Sequence, residues 1–155
     1  MRAVVQRTSR AAVLVAGSVV GQIGVGLLVL LGVGPDDTDA VAEKLAERVA
    51  TLRIFPDSAG RMNVDLAQSG GAVLVVSQFT LFADSSRGHR PSFAGAAERT
   101  LAERLCHAFV ASLRARGLDV AAGEFGAHMD VELVNDGPVT VVLSSGEEAW
   151  NTDAG

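Results

Sequence analysis

The stretch Val73–Asp84 has the sequence VLVVSQFTLFAD, and both the fold and the candidate site depend on it. Its first four residues are valine or leucine, which is typical of a strand buried on both faces. We predict that this strand covers residues 72–82. Three polar side chains, Ser77, Gln78 and Thr80, interrupt the apolar run. Burying a hydroxyl or an amide without a hydrogen-bond partner costs about 1–3 kcal/mol, so these side chains need a structural or functional reason.

Two interpretations of these polar residues are open. On a regular strand Gln78 and Thr80 share one face and Ser77 lies on the other, so the three converge only if the strand bends or ends near Ser77. In the first interpretation the strand leaves the core, and neighbouring groups satisfy the polar side chains. In the second it forms the floor of a pocket, where a hydroxyl and backbone N–H groups face a substrate. Residue spacing alone leaves both open.

Composition narrows the class of protein. The chain has 155 residues, of which 48% are hydrophobic, as expected for one folded domain with a sizeable core. The net charge of −5 argues against a wide grip on nucleic acid, although a local pocket for one end of a nucleic acid is compatible with it. Cys106 is the single cysteine, so no disulfide forms within the chain, which fits a reducing cytoplasm.

Strands are also expected on both sides of the opening stretch. The run VGLLVLLGV at residues 25–33 is too short to cross a membrane, which takes about 20 apolar residues, and no leader cleavage site follows it. We therefore predict a buried strand there. Further strands are predicted at Met1–Arg10, Ala11–Ala16, Val19–Ile23, Met62–Leu66, Leu118–Ala122, Met129–Val134 and Val139–Ser144.

Two helices complete the predicted domain. The first begins at Asp37 or Thr38, which can cap it, and ends near Ile54. The second runs from about Ser92 to Arg116, with an apolar stripe beside which Cys106 is a small core residue. We predict a single mixed-sheet α/β domain over residues 1–145, with a β-rich core, two main helices and α/β/β layers. A flexible tail is expected at residues 146–155.

Other constellations give weak functional signals. The three histidines have no metal-ligand spacing with Cys106 or with one another, so no metal site is expected. The polar loop Ser85–Pro91, SSRGHRP, carries Arg87, His89 and Arg90. These residues either bind phosphate or form ordinary surface.

The tetrapeptide Asn135–Pro138, NDGP, has the composition of a turn between two strands. X–Pro bonds are cis in only about 5–6% of cases in folded proteins. The residues alone therefore predict an ordinary trans turn, and no chemistry follows from it.

A family resemblance emerges from several segments taken together. The segments MRAVVQRTSRAAVLVAG, LRIFPDSAGRMNVDL, SQFTLFAD, GHRPSF and NDGPVT occur in this order. With them the chain resembles the bacterial D-aminoacyl-tRNA deacylases, formerly called D-tyrosyl-tRNA deacylases, over residues 1–145. The pairing of SQFTL with GPVT is the most specific part. Thr8, His89 and His128 depart from the usual family pattern, and none of them lies in these two motifs.

The resemblance implies an enzyme that hydrolyses the ester of D-aminoacyl-tRNA, and of mischarged glycyl-tRNA, in the cytoplasm and away from membranes. It implies a homodimer in which a cis Gly137–Pro138 peptide of one subunit enters the active site of the other. It implies neither a cofactor nor a metal. The residues implied in catalysis are Ser77, Gln78 and Thr80. Those implied in substrate binding are Phe79, Met129, Gly137, Pro138 and Arg7. The role implied for Arg7 is to hold the Gly-Pro motif in place.

Two catalytic schemes are compatible with this resemblance. Either Thr80 is the nucleophile, or the terminal 2′-hydroxyl of the tRNA activates water. We favour the second scheme because SQFTL contains no base that could activate Thr80. Selectivity is expected by exclusion: the carbonyl oxygens of Gly137 and Pro138 bind the substrate ammonium and leave no room for an L side chain. Glycine, which has no side chain, should then pass.

Two other functions stay open as hypotheses. Animal relatives have been linked to DNA replication origins, which suggests a DNA-binding protein, although the charge of −5 argues against it. A hydrolase of small esters with a serine or threonine nucleophile is the other. Loss of all activity in a Thr80→Ala variant would favour that second alternative.

Overall fold

The computed structural model describes residues 1–145 and contains a six-stranded mixed sheet, a two-stranded ribbon and two main helices. The flexible tail predicted at residues 146–155 lies outside the described residues. The strands are β1 (Arg2–Val15), β2 (Ser18–Ile23), β3 (Gly26–Gly32), β4 (Phe55–Pro56), β5 (Met62–Val64), β6 (Ala72–Ser77), β7 (Val120–Ala122) and β8 (Asp130–Ser144). The helices are α1 (Asp39–Ala50), α2 (Leu66–Ser69) and α3 (Arg99–Ala115), with a 3₁₀ turn at Phe79–Phe82.

The large sheet has the strand order β2-β1-β3-β6-β7, and β8 pairs along the other edge of β1. The pairs β3–β6 and β6–β7 are parallel, and the remaining pairs are antiparallel. One edge of β1 pairs first with β3 and then with β2, so the sheet curls back on itself. A Cβ at Gly21 of β2 would lie 2.8 Å from the Ala122 carbonyl oxygen of β7. Glycine thus allows the two ends of the sheet to approach.

The curled sheet creates two cores, one on each side of β3. Leu27, Val29 and Leu31 face the first core, which α1 and α3 cover, whereas Leu28 and Leu30 face the second. This double burial explains the continuous apolar run at residues 25–33, and it confirms both the predicted strand and the α/β/β layers. The helix residues of the first core include Leu45, Val49, Leu105, Phe109 and Leu113. The second core lies between sheet segments and includes Ala11, Val13, Leu74, Val76, Met129 and Leu133.

The predicted strand 72–82 is too long. Strand β6 ends at Ser77, and the 3₁₀ turn follows. The Gln78 backbone N–H donates to the Leu31 carbonyl at 2.8 Å, and the Leu81 N–H then donates back to the Gln78 carbonyl at 3.3 Å. The chain therefore turns as soon as its pairing with β3 is complete.

Other boundaries also differ from the prediction, among them that of the strand predicted at 118–122, which starts at Val120. The two strands predicted at residues 1–16 form one strand, β1. The strand predicted at 62–66 stops at Val64 because the Asp65 side chain accepts from the Gln68 N–H and caps α2. The second helix begins at Arg99 instead of Ser92, because Ser92 pairs with Asp84 through two backbone hydrogen bonds of 2.8 Å.

The first helix starts where the sequence predicts. The Thr38 side chain accepts from the Val41 N–H and caps α1, but the helix ends at Ala50, before the expected Ile54. Across residues 1–145, no helix combines the length and apolar character needed to cross a membrane.

Candidate functional site

A cavity of about 560 Å³ opens at the end of β6. Its walls come from the ends of β3 and β6 with the turn after β6, from the loop before α3 and the first turns of that helix, and from the segment between β7 and β8 with the start of β8. The lining includes Ser77, Gln78, Phe79, Phe93, Phe125 and Met129. The pocket therefore combines polar groups at a strand end with an apolar, aromatic surround, which is the usual composition of a small-molecule site.

The three polar residues of SQFTL lie at this pocket in different ways. Ser77 and Gln78 are half-buried and form part of its wall. Thr80 is exposed and lies outside the lining, but its hydroxyl accepts a hydrogen bond from the Gln78 amide Nε2. The end of the strand at Ser77 thus gathers two of the three polar side chains in one wall and links the third to them.

The 3₁₀ turn offers backbone donors at the same place. The first N–H groups of a helical turn have no partner inside the turn. Among residues 1–145, no side chain caps the N-terminus of this turn. The N–H groups of Phe79 and Thr80 therefore have no partner inside the turn, and Phe79 lines the pocket. Backbone donors of this kind are what stabilisation of an oxyanion requires.

The Gly137–Pro138 peptide is cis, as the resemblance implies, and the trans turn expected from the residues alone is wrong. The segment is also no turn between two strands. It lies within β8, where the four residues 136–139 stand opposite the single residue Arg7, between the pairs Gln6–Thr140 and Thr8–Asn135 of the β1–β8 ladder. Strand β8 continues antiparallel to β1 on both sides of this bulge.

Side chains of β1 and β8 stabilise the bulge through hydrogen bonds to its backbone. The Arg7 Nε donates to the Asp136 carbonyl at 2.9 Å, and one Arg7 Nη donates to the Ile54 carbonyl at 2.6 Å. The Asn135 side-chain oxygen accepts from the Val139 N–H at 2.7 Å. Gly137 and Pro138 are exposed, and neither they nor Arg7 line the cavity. The bulge is a supported projection on the surface.

Comparison with known proteins identifies the family of this chain. A family model described as D-Tyr-tRNA(Tyr) deacylase matches residues 4–144. The chain belongs to this deacylase family.

Relatives with the family's name align along nearly their whole length. The D-aminoacyl-tRNA deacylase of Deinococcus radiodurans is 60% identical over 143 residues, which cover 92% of this chain and 99% of that protein. The corresponding protein of Lacticaseibacillus casei is 55% identical over 145 residues, covering 94% and 98%. The solved structure of the c-Myc DNA Unwinding Element Binding Protein has a TM-score of 0.88 at 38% identity and covers 94% of this chain and 99% of that one. A probable eukaryotic D-amino acid tRNA deacylase at 18% identity and a TM-score of 0.82 shows the shared fold.

In this deacylase, residues that the sequence analysis missed line much of the pocket. Phe93 packs edge-to-face on Phe79 with 5.1 Å between ring centroids. The Arg99 guanidinium lies 6.0 Å from the centroid of the Phe125 ring. Phe93 and Phe125 lie outside the strands and helices, where hydrophobic periodicity does not indicate which residues are functional. Aromatic residues in loops were the available clue.

The basic loop residues and the histidines considered in the sequence analysis add little to this pocket. Arg87, His89 and Arg90 are exposed and do not line the cavity, so the structure leaves their two interpretations open. His128 lines the pocket with a highly exposed side chain, 3.9 Å from the Asp130 carboxylate. Within residues 1–145, no three potential ligands cluster as a metal site would require.

Cys106 forms part of the pocket wall and is 7% exposed. Burial raises the pKa of its thiol from about 9.0 to about 11, and the Glu103 carboxylate adds to the rise. The folded protein therefore holds this proton more tightly than the unfolded chain does. Its contribution to stability is fully present below pH 9 and is lost as the pH rises to about 11.

This pKa gives an alkaline prediction. Between pH 8 and pH 11, the free energy of unfolding of the native protein should fall more than that of a Cys106→Ala variant. Urea unfolding at both pH values measures the difference. Equal losses in the two proteins would contradict the raised thiol pKa.

Proposed function

We propose that this protein hydrolyses the ester of D-aminoacyl-tRNA, and of glycyl-tRNA, to free amino acid and tRNA in the cytoplasm. The site proposed is the pocket at the end of β6, completed by the Gly137–Pro138 segment of a second subunit. The observation that carries the proposal is the uncapped 3₁₀ turn after Ser77, which opens into this pocket. Membership of the deacylase family supports the substrate class.

The proposed hydrolysis needs no strong nucleophile from the protein. An aminoacyl ester is labile, so the enzyme needs to orient it and stabilise the oxyanion that forms when water adds to its carbonyl carbon. The bond to the ribose oxygen then breaks and releases the amino acid. The N–H groups of Phe79 and Thr80 are proposed as donors to the oxyanion. One such donor can lower the activation barrier by about 2.7–4 kcal/mol. No step of this scheme uses a metal or a cofactor.

Chiral selection is proposed to come from the partner subunit. Gly137 and Pro138 are exposed and absent from the lining of their own pocket, while Arg7 and Asn135 hold them in place. In a homodimer, this segment would enter the neighbouring pocket with its carbonyl oxygens toward the substrate ammonium. An L side chain would then have no room, whereas glycine would pass.

The decisive experiment compares D-tyrosyl-, L-tyrosyl- and glycyl-tRNA as substrates of the purified protein, in the presence of a chelator. We expect fast release of D-tyrosine and glycine, with the L-tyrosyl ester left intact. If all three esters survive, the catalytic proposal fails. If all three are cleaved, exclusion of the L side chain fails.

The role of Thr80 has its own test. We expect a Thr80→Ala variant to keep most of its activity, because the proposed contribution of this residue is its backbone N–H. Replacing the terminal 2′-hydroxyl of the substrate by hydrogen should instead lower the rate by about 10²–10⁴-fold, the range for general acid–base catalysis. Single-turnover deacylation of the two substrates by both proteins measures this. Complete loss in Thr80→Ala would favour a threonine nucleophile and an ordinary ester hydrolase.

A second candidate function is DNA binding, because the similar solved structure at 38% identity is that of a DNA Unwinding Element Binding Protein. A net charge of −5 does not favour a wide DNA contact. A DNA binder should show affinity that falls steeply with salt concentration. A flat or undetectable binding curve on duplex DNA would remove this alternative.

A further inference from the structure

The 3₁₀ turn that carries the proposed donors is tied to the first strand by one side chain. Arg2 lies at the start of β1, and one of its Nη atoms donates to the Leu81 carbonyl at 2.8 Å. The guanidinium carbon of Arg2 also lies 4.5 Å from the centroid of the Phe82 ring. Arg2 therefore makes both a hydrogen bond and a stacking contact with the end of the turn.

Two glycines, Gly32 and Gly34, lie close to the Phe82 ring that Arg2 contacts. Arg2 pairs directly with Gly32 in the β1–β3 ladder, and a Cβ at Gly32 would lie 3.1 Å from the Phe82 ring and 3.0 Å from the Gln78 carbonyl oxygen. A Cβ at Gly34 would also lie 3.1 Å from the Phe82 ring. The missing side chains leave a slot against the backbone, in which Phe82 lies with Arg2 over its ring.

The turn has few other anchors. None of its four residues is buried, so core packing does not fix it. Its internal hydrogen bonds, such as the one from the Ala83 N–H to the Thr80 carbonyl at 3.0 Å, shape the turn but do not attach it to the sheet. Besides the Gln78–Leu31 bond at the end of β6 and the packing of Phe79 on Phe93, the contacts of Arg2 and Phe82 attach the turn to the sheet.

We infer that Arg2 is a positioning residue for deacylation, which acts by holding Leu81 and Phe82 in the Gly32–Gly34 slot. The inference rests on the proposed function, since this turn carries the N–H groups of Phe79 and Thr80 that are proposed as donors to the oxyanion. A planar guanidinium can donate to a carbonyl and stack on a ring at the same time, and a lysine ammonium cannot do both in this geometry. Small displacements of such donors can lower rates on the order of 100-fold.

The test compares Arg2→Ala, Arg2→Lys and a matched control, Arg48→Ala. Arg48 also donates to a backbone carbonyl, that of Ser144 at 3.0 Å, but it lies on α1 and does not line the pocket. We expect kcat on D-tyrosyl-tRNA to fall between tenfold and 100-fold in Arg2→Ala, with KM little changed. Arg2→Lys should recover only part of the loss, and Arg48→Ala should match the native protein.

Substitutions of Phe82 test the same contact from the other partner, with a conservative change as the control. Phe82→Tyr keeps the ring and should retain near-native kcat, while Phe82→Ala should lower kcat as Arg2→Ala does. These variants keep the inference testable if Arg2→Ala fails to fold. Equal kcat in Phe82→Ala and Phe82→Tyr would overturn it.

Amide hydrogen exchange provides a readout that does not depend on activity. In Arg2→Ala, the amides of residues 79–83 should exchange faster, and those of α1 should not change. Unchanged exchange at residues 79–83 would overturn the positioning role itself. Faster exchange with an unchanged kcat would instead overturn the proposed use of these N–H groups, and with it the catalytic part of the inference.

Discussion

Replacing Gly137 by alanine is expected to lower kcat/KM on D-tyrosyl-tRNA on the order of 100-fold or more. The backbone of Gly137 has a φ of +142°, and a Cβ there would lie 2.7 Å from a Val139 side-chain carbon and 2.9 Å from the Val139 nitrogen. Neither Val139 nor the adjacent backbone can yield easily, because Asn135 holds the Val139 N–H. The projecting bulge must change shape. Deacylation kinetics on D-tyrosyl- and L-tyrosyl-tRNA measure the loss of rate and of selectivity.

Gly88 is the matched control for this substitution. Its φ of +141° is nearly that of Gly137, yet a Cβ at Gly88 meets nothing within 4 Å. Gly88→Ala therefore imposes the same backbone strain without the collision. We expect it to leave chiral selectivity intact. Equal loss of selectivity in the two variants would contradict a specific role of the bulge.

A mixed dimer tests whether the bulge acts on the partner's pocket. One subunit carries Gly137→Ala and the other carries Phe79→Ala, with a different affinity tag on each so that the heterodimer can be isolated. If the bulge acts across the interface, one site of the pair keeps a native pocket and a native bulge, so about half of the native activity should return. If the bulge serves its own subunit, both sites are defective and the mixed dimer stays inactive.

Phe109→Ala should lower the free energy of unfolding by about 3–5 kcal/mol, the usual cost of removing a large aromatic side chain from a core. Phe109 is 0% exposed and lies on the face of α3 that covers the first core. The cavity left behind has little chance to collapse, since β strands and two helices surround it. Urea unfolding followed by circular dichroism measures the change.

Phe79→Ala is the contrasting variant. Phe79 is 58% exposed and its recorded aromatic contact is with Phe93, so its loss should cost less than about 1.5 kcal/mol of stability. Its place at the pocket mouth should nevertheless make activity fall. Parallel losses of stability in Phe79→Ala and Phe109→Ala would contradict the division between core and site drawn from their burial.

Much of the fold follows from local patterns in the sequence. The apolar run at residues 25–33 predicts a strand buried on both faces, and the stripe through Leu105 and Phe109 predicts the inner face of α3. The two cap candidates Asp37 and Thr38 predict the start of α1, and Thr38 is the one that caps it. These predictions succeed because burial periodicity and helix capping depend on residues a few positions apart. The motifs SQFTL and GPVT likewise indicate the family by themselves, since their identity does not depend on the folded geometry.

Only the tertiary structure decides how those motifs become a site. Strand β6 ends at Ser77 because the Leu31 carbonyl on β3 takes its last hydrogen bond. The Gly137–Pro138 segment becomes a bulge within β8, not a turn, because β1 pairs with residues on both sides of it. Phe93 and Phe125 reach the pocket from loops without any periodic pattern. In each case the residue's position depends on a contact with a segment far away in the chain. Such contacts form only when the whole sheet is packed, so local sequence patterns do not reveal them.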